Sequence, residues 1–179
     1  MSTGSGTRRA RGFTLIEMLV VIIAIGILAG FALDRLLPLI GRAQRAAFMQ
    51  VQADLQTALL LEAADRITRG EAHTLATLAG ANPMSLLLRA PGNYLGSISR
   101  PEDDAIPRAS WYFDEHSGWL VYRVGRYTRF EGLDGPTDRV EFTVTFVYTD
   151  RDASGTYDAA IDRFDGLRLD AVNEFVWPD

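Results

Sequence analysis

The sequence predicts an α+β protein in which one long N-terminal helix packs on an antiparallel sheet of three or four strands. Three observations predict this class. Residues 13–33 are apolar or small apart from Thr14 and Glu17, residues 39–68 carry apolar side chains at helical spacing, and residues 139–149 alternate apolar and polar. A period of 3.6 residues indicates helix and a period of two indicates strand. A helix followed by strands predicts that the sheet covers one face of that helix.

The first half of the predicted helix is long enough to cross a membrane. At 1.5 Å of rise per residue, residues 13–33 extend for about 31 Å, which is the thickness of a bilayer's hydrocarbon layer. Residues 1–12 form a polar leader with three arginines and no acidic residue. Arginines on that side predict a cytoplasmic N-terminus, although three more arginines that follow the span weaken this prediction. Gly26 and Gly30 form a G-x-x-x-G pattern, which suits either a helix contact or ordinary glycine tolerance in a membrane.

Glu17 does not fit an ordinary membrane anchor. An ionised carboxylate inside the hydrocarbon layer costs about 2.5–3.5 kcal/mol, so Glu17 needs a cationic partner or a polar environment. One interpretation is a signal anchor whose Glu17 reaches the lipid headgroups. A cleaved secretory signal is disfavoured, because the apolar run is too long and no A-x-A-like site follows it.

The segment R-G-F-T-L-I-E-M-L-V-V at residues 11–21 resembles the N-terminus of type IV prepilins and of type II secretion pseudopilins. The resemblance implies that a prepilin peptidase cuts between Gly12 and Phe13 at the cytoplasmic face and then N-methylates Phe13. It implies that Glu17 neutralises the amino group of the next subunit's first residue during assembly. Implied partners are other pilin or pseudopilin subunits, the inner-membrane assembly platform and the lipid bilayer.

The same resemblance implies a location and a subunit type. The chain is expected in the bacterial inner membrane, with its N-terminus cytoplasmic and its C-terminal domain periplasmic, and in a surface or periplasmic filament after assembly. The phrases N-P-M-x-L-L, N-Y-L-G and W-Y-F-D further along the chain are similar to those of minor pilin-like proteins. The filament could be a type IV pilus, a mannose-sensitive-type pilus or a type II secretion pseudopilus.

Residues 34–69 predict an amphipathic helix that continues into the globular domain. Its expected core stripe is Ile40, Ala43, Ala47, Val51, Leu55, Ala58, Leu59 and Glu62, with Phe48 beside it, and Gln44, Arg45, Gln52 and Gln56 on other faces. Pro38 is expected to kink or interrupt the helix, and Gly70 to end it.

Residues 70–179 form the predicted globular domain. Residues 71–109 are irregular in pattern, residues 110–114 and 119–124 predict a hairpin, and residues 139–149 and 167–177 predict two further strands. The chain has no cysteine. Many pilins carry a C-terminal disulfide, so its absence leaves open what fastens the C-terminal region here.

The acidic loop at residues 150–162 resembles a calcium loop, since oxygen-bearing side chains occupy its places one, three, five and nine. Place twelve, where a calcium loop has a bidentate glutamate, is Ile161, and Asp162 comes one residue later. The candidate ligands are Asp150, Asp152, Ser154, Thr156, Asp158 and Asp162. The resemblance to type II pseudopilins, some of which bind calcium near the C-terminal end of the sheet, supports a site. A solvated acidic loop is the alternative.

Composition and motifs disfavour two other classes of function. The formal net charge of −5 argues against a nucleic-acid-binding surface. His73 and His116 are isolated in the sequence and predict surface residues, and no phosphate loop, zinc spacing or nucleophile elbow is present, so no enzyme is expected. The expected function is therefore a pilin-like structural subunit of a type IV pilus or type II secretion pseudopilus. The alternative is a membrane-anchored periplasmic binding module, dependent on calcium, that does not polymerise.

Overall fold

The computed structural model describes residues 13–102, 105–126, 128–135 and 137–178. Gly12 and the rest of the predicted leader lie outside this range. The chain divides into two units between Pro38 and Leu39. A single helix, α1, begins in the first unit and ends in the second.

Helix α1 spans Leu15–Thr68, 54 residues, and passes through Pro38 without ending. Of the two alternatives expected at Pro38, the interruption is therefore wrong and the kink stays a prediction. A proline removes one backbone hydrogen bond, and the helix on both sides tolerates that loss. At the C-terminus Gly70 adopts a left-handed conformation (φ +78°). The N–H of Glu71 bonds the carbonyl of Arg66 at 2.8 Å and that of Gly70 bonds Ile67 at 3.0 Å, so the predicted stop at Gly70 is confirmed.

Two short 3-10 helices and seven strands follow α1. The 3-10 helices are Ala72–Leu78 and Pro83–Leu86, and the strands are β1 Tyr94–Ile98, β2 Ser110–Asp114, β3 Trp119–Arg123, β4 Glu131–Gly132, β5 Arg139–Thr149, β6 Arg163–Ala171 and β7 Phe175–Val176. Five strands form one sheet in the order β1-β2-β3-β5-β6, while β4 and β7 pair separately. All pairs are antiparallel except β1 with β2.

The α+β class and the mostly antiparallel sheet are confirmed, with two differences in detail. The sheet has five strands, since β1 comes from a stretch that the sequence indicated as irregular. The hairpin of β2 and β3 is confirmed. The predicted last strand at residues 167–177 is instead two strands, because β6 begins at Arg163 and ends at Ala171, and β7 then pairs with β4.

Phe48 is the centre of the core between α1 and the sheet. Its side chain is 3% exposed and its ring stacks on Trp111 at 5.4 Å with an interplanar angle of 6°. The rings of Tyr122 and Phe142 lie 5.1 and 5.9 Å away. Leu55, like Phe48, belongs to the buried face of α1.

The predicted core stripe of α1 is right in its middle and wrong at its start. Leu55 and Leu59 are fully buried, but Ile40, Ala43 and Ala47 are exposed. The buried face is Gly41, Phe48, Leu55, Leu59 and Ala63. The Phe48 ring packs among Trp111, Tyr122 and Phe142, and the buried face of α1 accordingly starts at Gly41 and continues through Phe48.

The C-terminal region is fastened by aromatic rings and one asparagine. The Trp177 ring lies 4.9 Å from Phe48, and the Phe175 ring lies 5.7 Å from Phe130. Asn173 accepts a hydrogen bond from the Glu141 N–H and donates one to the Arg139 carbonyl, both at 2.9 Å. These contacts hold residues 173–177 without a covalent link.

Candidate functional site

The N-terminal half of α1 presents an apolar surface that no other described residue covers. Every residue from Phe13 to Leu36 is exposed. Among the described residues, α1 is the one helix long and apolar enough to cross a membrane, with a mean hydropathy of 2.7 over its most apolar stretch; length and composition are the basis for this. The apolar helix fits an inner-membrane anchor.

Glu17 lies in the first turn of α1, close to Phe13. Helix α1 begins at Leu15, and the Thr14 hydroxyl accepts a hydrogen bond from the Glu17 N–H at 3.3 Å. Thr14 is therefore the N-cap residue, and Phe13 stands just outside the helix. An amino group created at Phe13 would lie at the same end of the helix as the Glu17 carboxylate. The structure thus groups one candidate cation, one acid and the positive end of the helix dipole.

A second apolar stripe runs along the exposed side of α1 in the unit Leu39–Asp179. Met49 is 56% exposed, Leu60 66% and Ile67 47%, and the residues between them on this face are small. We call this the outer stripe: Ala46, Met49, Ala53, Leu60, Ala64 and Ile67. The sequence analysis did not detect it. The seven-residue spacing of positions 46, 53, 60 and 67 is a signal that could have revealed it.

The acidic loop brings together three of the six candidate metal ligands. Carboxylate oxygens of Asp150, Asp152 and Asp162 all lie within 4.8 Å of one another. Asp162 is buried, and its two oxygens accept hydrogen bonds from the N–H groups of Arg151 at 2.9 Å and Asp158 at 2.8 Å. The acid that falls one residue late for a calcium loop therefore joins the group.

The other three candidates are engaged in the loop's own hydrogen bonds. The Ser154 hydroxyl donates to the Thr156 carbonyl at 3.0 Å, and Asp158 Oδ1 accepts from the Ala160 N–H at 2.8 Å. Backbone N–H groups also bind Asp150, and the bond from Gly155, at 2.8 Å, is the main cause of a lowered pKa for that carboxyl group. The ionised form of Asp150 is thus stabilised by the loop itself.

Both histidines lie on the surface, as predicted. His73 belongs to the first 3-10 helix and His116 to the turn between β2 and β3, and both are exposed. Within the part of the chain that the structure describes, the cluster of three aspartates is the group with metal-ligating geometry. No histidine belongs to it.

The exposed apolar helix with an acid near its start fits a membrane-anchored protein. Residues 7–33 match the protein family described as the prokaryotic N-terminal methylation motif. The chain therefore carries the prepilin signal of type IV pilin-like proteins, and this motif supports a pilin-like substrate of prepilin peptidase. Proteins with this motif are structural subunits. No curated protein and no solved structure matches the chain.

Proposed function

We propose that this chain is a pilin-like structural subunit that is cut between Gly12 and Phe13, N-methylated at Phe13, and assembled into a type IV pilus or a type II secretion pseudopilus. The methylation motif at residues 7–33 carries this proposal. Before assembly, the subunit lies in the bacterial inner membrane, which residues 13–33 span. Its N-terminus is cytoplasmic and its C-terminal domain is periplasmic. Its partners are prepilin peptidase, the assembly platform and other subunits.

Assembly exchanges lipid contacts for protein contacts on the exposed side of α1. The uncovered span and the outer stripe together supply an apolar surface far longer than a soluble monomer normally exposes. Burying the outer stripe against neighbouring helices stabilises a filament by about 25 cal/mol for each Å² removed from water, whereas the span exchanges lipid for protein and gains from close packing. In this scheme the sheet forms the outer surface of the filament.

Glu17 sets the register of assembly by pairing with the methylated amine of Phe13 in the next subunit. A carboxylate in an apolar layer is stable where a cation neutralises it. We expect Glu17→Ala protein to be processed normally but to enter filaments poorly, and Asp34→Ala, which removes an acid just past the span, to assemble as wild type. The measurement is the ratio of sheared filament protein to membrane protein. Normal incorporation of Glu17→Ala would refute the pairing.

Substitutions in the leader test the proposed cleavage between Gly12 and Phe13. We expect purified protein to begin at methylated Phe13, and Gly12→Val protein to keep its leader because a bulkier side chain blocks the peptidase. Gly6→Val places the same change elsewhere in the leader and serves as the control. Mass spectrometry of the N-terminal peptide reads both outcomes. An unmodified Met1 on wild-type protein from cells with an active peptidase would contradict the proposal.

The outer stripe is tested by placing a charge on it. Leu60→Glu is expected to reduce filament incorporation at least about tenfold, since an added charge would be desolvated at a helix contact. Ala47→Glu introduces the same charge at an exposed position of α1 outside the stripe and should assemble normally. Both proteins should keep the circular dichroism of wild type. Equal incorporation of the two variants would show that the stripe faces solvent in the filament.

A second proposal concerns calcium. We propose that Asp150, Asp152 and Asp162 bind a calcium ion, supported by the 4.8 Å grouping of their carboxylate oxygens. If filaments do not form, the same site would favour a calcium-dependent binding module anchored in the membrane. Millimolar calcium should then raise the melting temperature of wild-type protein but not of Asp152→Asn protein. An unchanged melting temperature of wild type would exclude the site.

A further inference from the structure

A side chain of α1 closes the outer edge of β6. The Gln56 Nε2 donates to the Leu167 carbonyl at 2.9 Å, and the Leu169 N–H donates to Gln56 Oε1 at 3.0 Å. One residue of an adjacent parallel strand would make the same two hydrogen bonds. Because β6 is the last strand of the five-stranded sheet, this edge is where an extra strand would pair.

The remainder of the β6 edge is interrupted in another way. The register between β5 and β6 shifts between Val147 and Tyr148, which leaves Asp165 as an extra, bulged residue. A bulge bends the strand and disrupts regular pairing on its free side. The bulge therefore disrupts pairing along the first half of the β6 edge, and Gln56 occupies the hydrogen-bonding groups of the second half.

Asn173 shows that the fold uses the same device elsewhere. Strand β6 pairs with β5 from Ala171, opposite Phe142. Beyond that point the Asn173 amide takes the place of a strand, bonding the Arg139 carbonyl and the Glu141 N–H. Amide side chains thus complete the sheet at two positions where a backbone partner ends.

The charges on β6 identify the partner that an open edge would accept. Its exposed or half-buried charged side chains alternate in sign along the strand: Arg163, Asp165, Arg168 and Asp170. Two copies of one edge strand related by a two-fold axis pair antiparallel. In that arrangement Arg163 and Asp170 of one copy can oppose Asp170 and Arg163 of the other, and such cross-strand pairs are favourable.

We propose that Gln56 is an edge cap, a side chain that prevents β6 from pairing with β6 of a second copy of this chain. The proposal concerns the folded domain and does not depend on cleavage or filament assembly. With the cap in place, the β6 edge is not a site of association. With the cap removed, the Leu167 carbonyl and the Leu169 N–H become available to another strand.

The test uses full-length protein in detergent and follows the Leu169 amide by hydrogen exchange. In wild type this amide should be protected at every concentration. In Gln56→Leu protein it should exchange roughly tenfold faster when dilute and regain protection as concentration rises, because a strand from a second copy replaces the lost hydrogen bond. Sedimentation should show the association constant raised by about the same factor. Contacts between spans would not protect this amide.

Two further variants complete the experiment. Gln50→Leu places the same apolar side chain at an exposed position of α1 and should behave as wild type. Gln56→Glu keeps an acceptor for the Leu169 N–H but loses the donor to Leu167, and it decides the question if Gln56→Leu does not fold. The edge cap is wrong if the folded variants associate no more than wild type, or if the Leu169 amide is unprotected in wild type.

Discussion

The two halves of α1 are both apolar, yet they have opposite environments. Phe31, in the first half, is 70% exposed, whereas Phe48, in the second, is 3% exposed and contacts aromatic rings of the sheet. The second half finds its apolar partner within its own chain. The first half contacts no such partner among the described residues, and its composition fits a membrane anchor. Apolar composition therefore shows that a segment will be buried, but not against what.

The largest expected effect comes from truncating these two phenylalanines. Phe48→Ala should lower the free energy of unfolding of the sheet-bearing unit by about 3–5 kcal/mol, because a well-packed ring leaves a cavity. Phe31→Ala, the same change on the same helix, should leave it within about 0.5 kcal/mol. Denaturant unfolding followed by tryptophan fluorescence measures both, since Trp111 stacks on Phe48. Equal losses would mean that the two halves do not differ as described.

Glycine substitutions test the same contrast between exposed and packed regions, with an expected effect of intermediate size. A Cβ built on Gly125 would lie 2.0 Å from Gln44 Oε1, whereas one built on Gly26 or Gly30 would meet no described atom within 4 Å. Gly125→Ala should therefore force the end of the Gln44 side chain to another position and cost about 0.5–1.5 kcal/mol, while Gly26→Ala should not destabilise the isolated chain.

The cause of the Gly125 effect can be tested directly. Gln44 Oε1 is buried and has no hydrogen-bond partner among the described residues, so Gln44→Ala removes an obstacle and an unsatisfied acceptor together. The Gly125→Ala/Gln44→Ala double variant should recover most of the lost stability in thermal unfolding. Additive losses in the double variant would place the strain elsewhere.

The smallest expected effect concerns a half-buried acid on the sheet. Burial raises the pKa of Glu141 above 4.5, and Asp114 adds to this while Arg139 opposes it. The unfolded chain therefore releases this proton first, so stability falls as pH rises from about 4.5 through the raised pKa. Glu141→Gln should be slightly more stable than wild type at pH 7 and lose that advantage below pH 4. Melting temperatures across this range, with exposed Glu71→Gln as control, measure the difference.

Local sequence patterns predict the parts of the fold that local physics determines. The span follows from composition, the alternation of β5 from its half-buried position, and the end of α1 from the left-handed Gly70. Strand β1 was missed because its identity depends on non-local parallel pairing with β2 and on Gly96 at φ +93°. A strand of five residues with such pairing carries little local sequence pattern from which it could be predicted.

The candidate sites likewise differ in whether local sequence or tertiary contacts determine them. The prepilin motif is contiguous and readable, and the family match at residues 7–33 confirms its recognition. The contacts of Gln56 depend on how α1 is rotated on the sheet, which the Phe48 ring fixes, so the sequence placed Gln56 on another face. The role of Asp162 in the acidic cluster depends on the turn at Asp158, whose carbonyl accepts hydrogen bonds from Ile161 at 3.1 Å and Asp162 at 2.7 Å.

The fastening of the C-terminal region by Phe175, Trp177 and Asn173 has a consequence for where the domain can mature. A chain without thiols gains nothing from oxidising enzymes and loses nothing to reductants. Its folding should proceed at the same rate with or without dithiothreitol, whatever the glutathione poise. The domain is thereby independent of the disulfide-forming machinery on which cysteine-stapled domains rely.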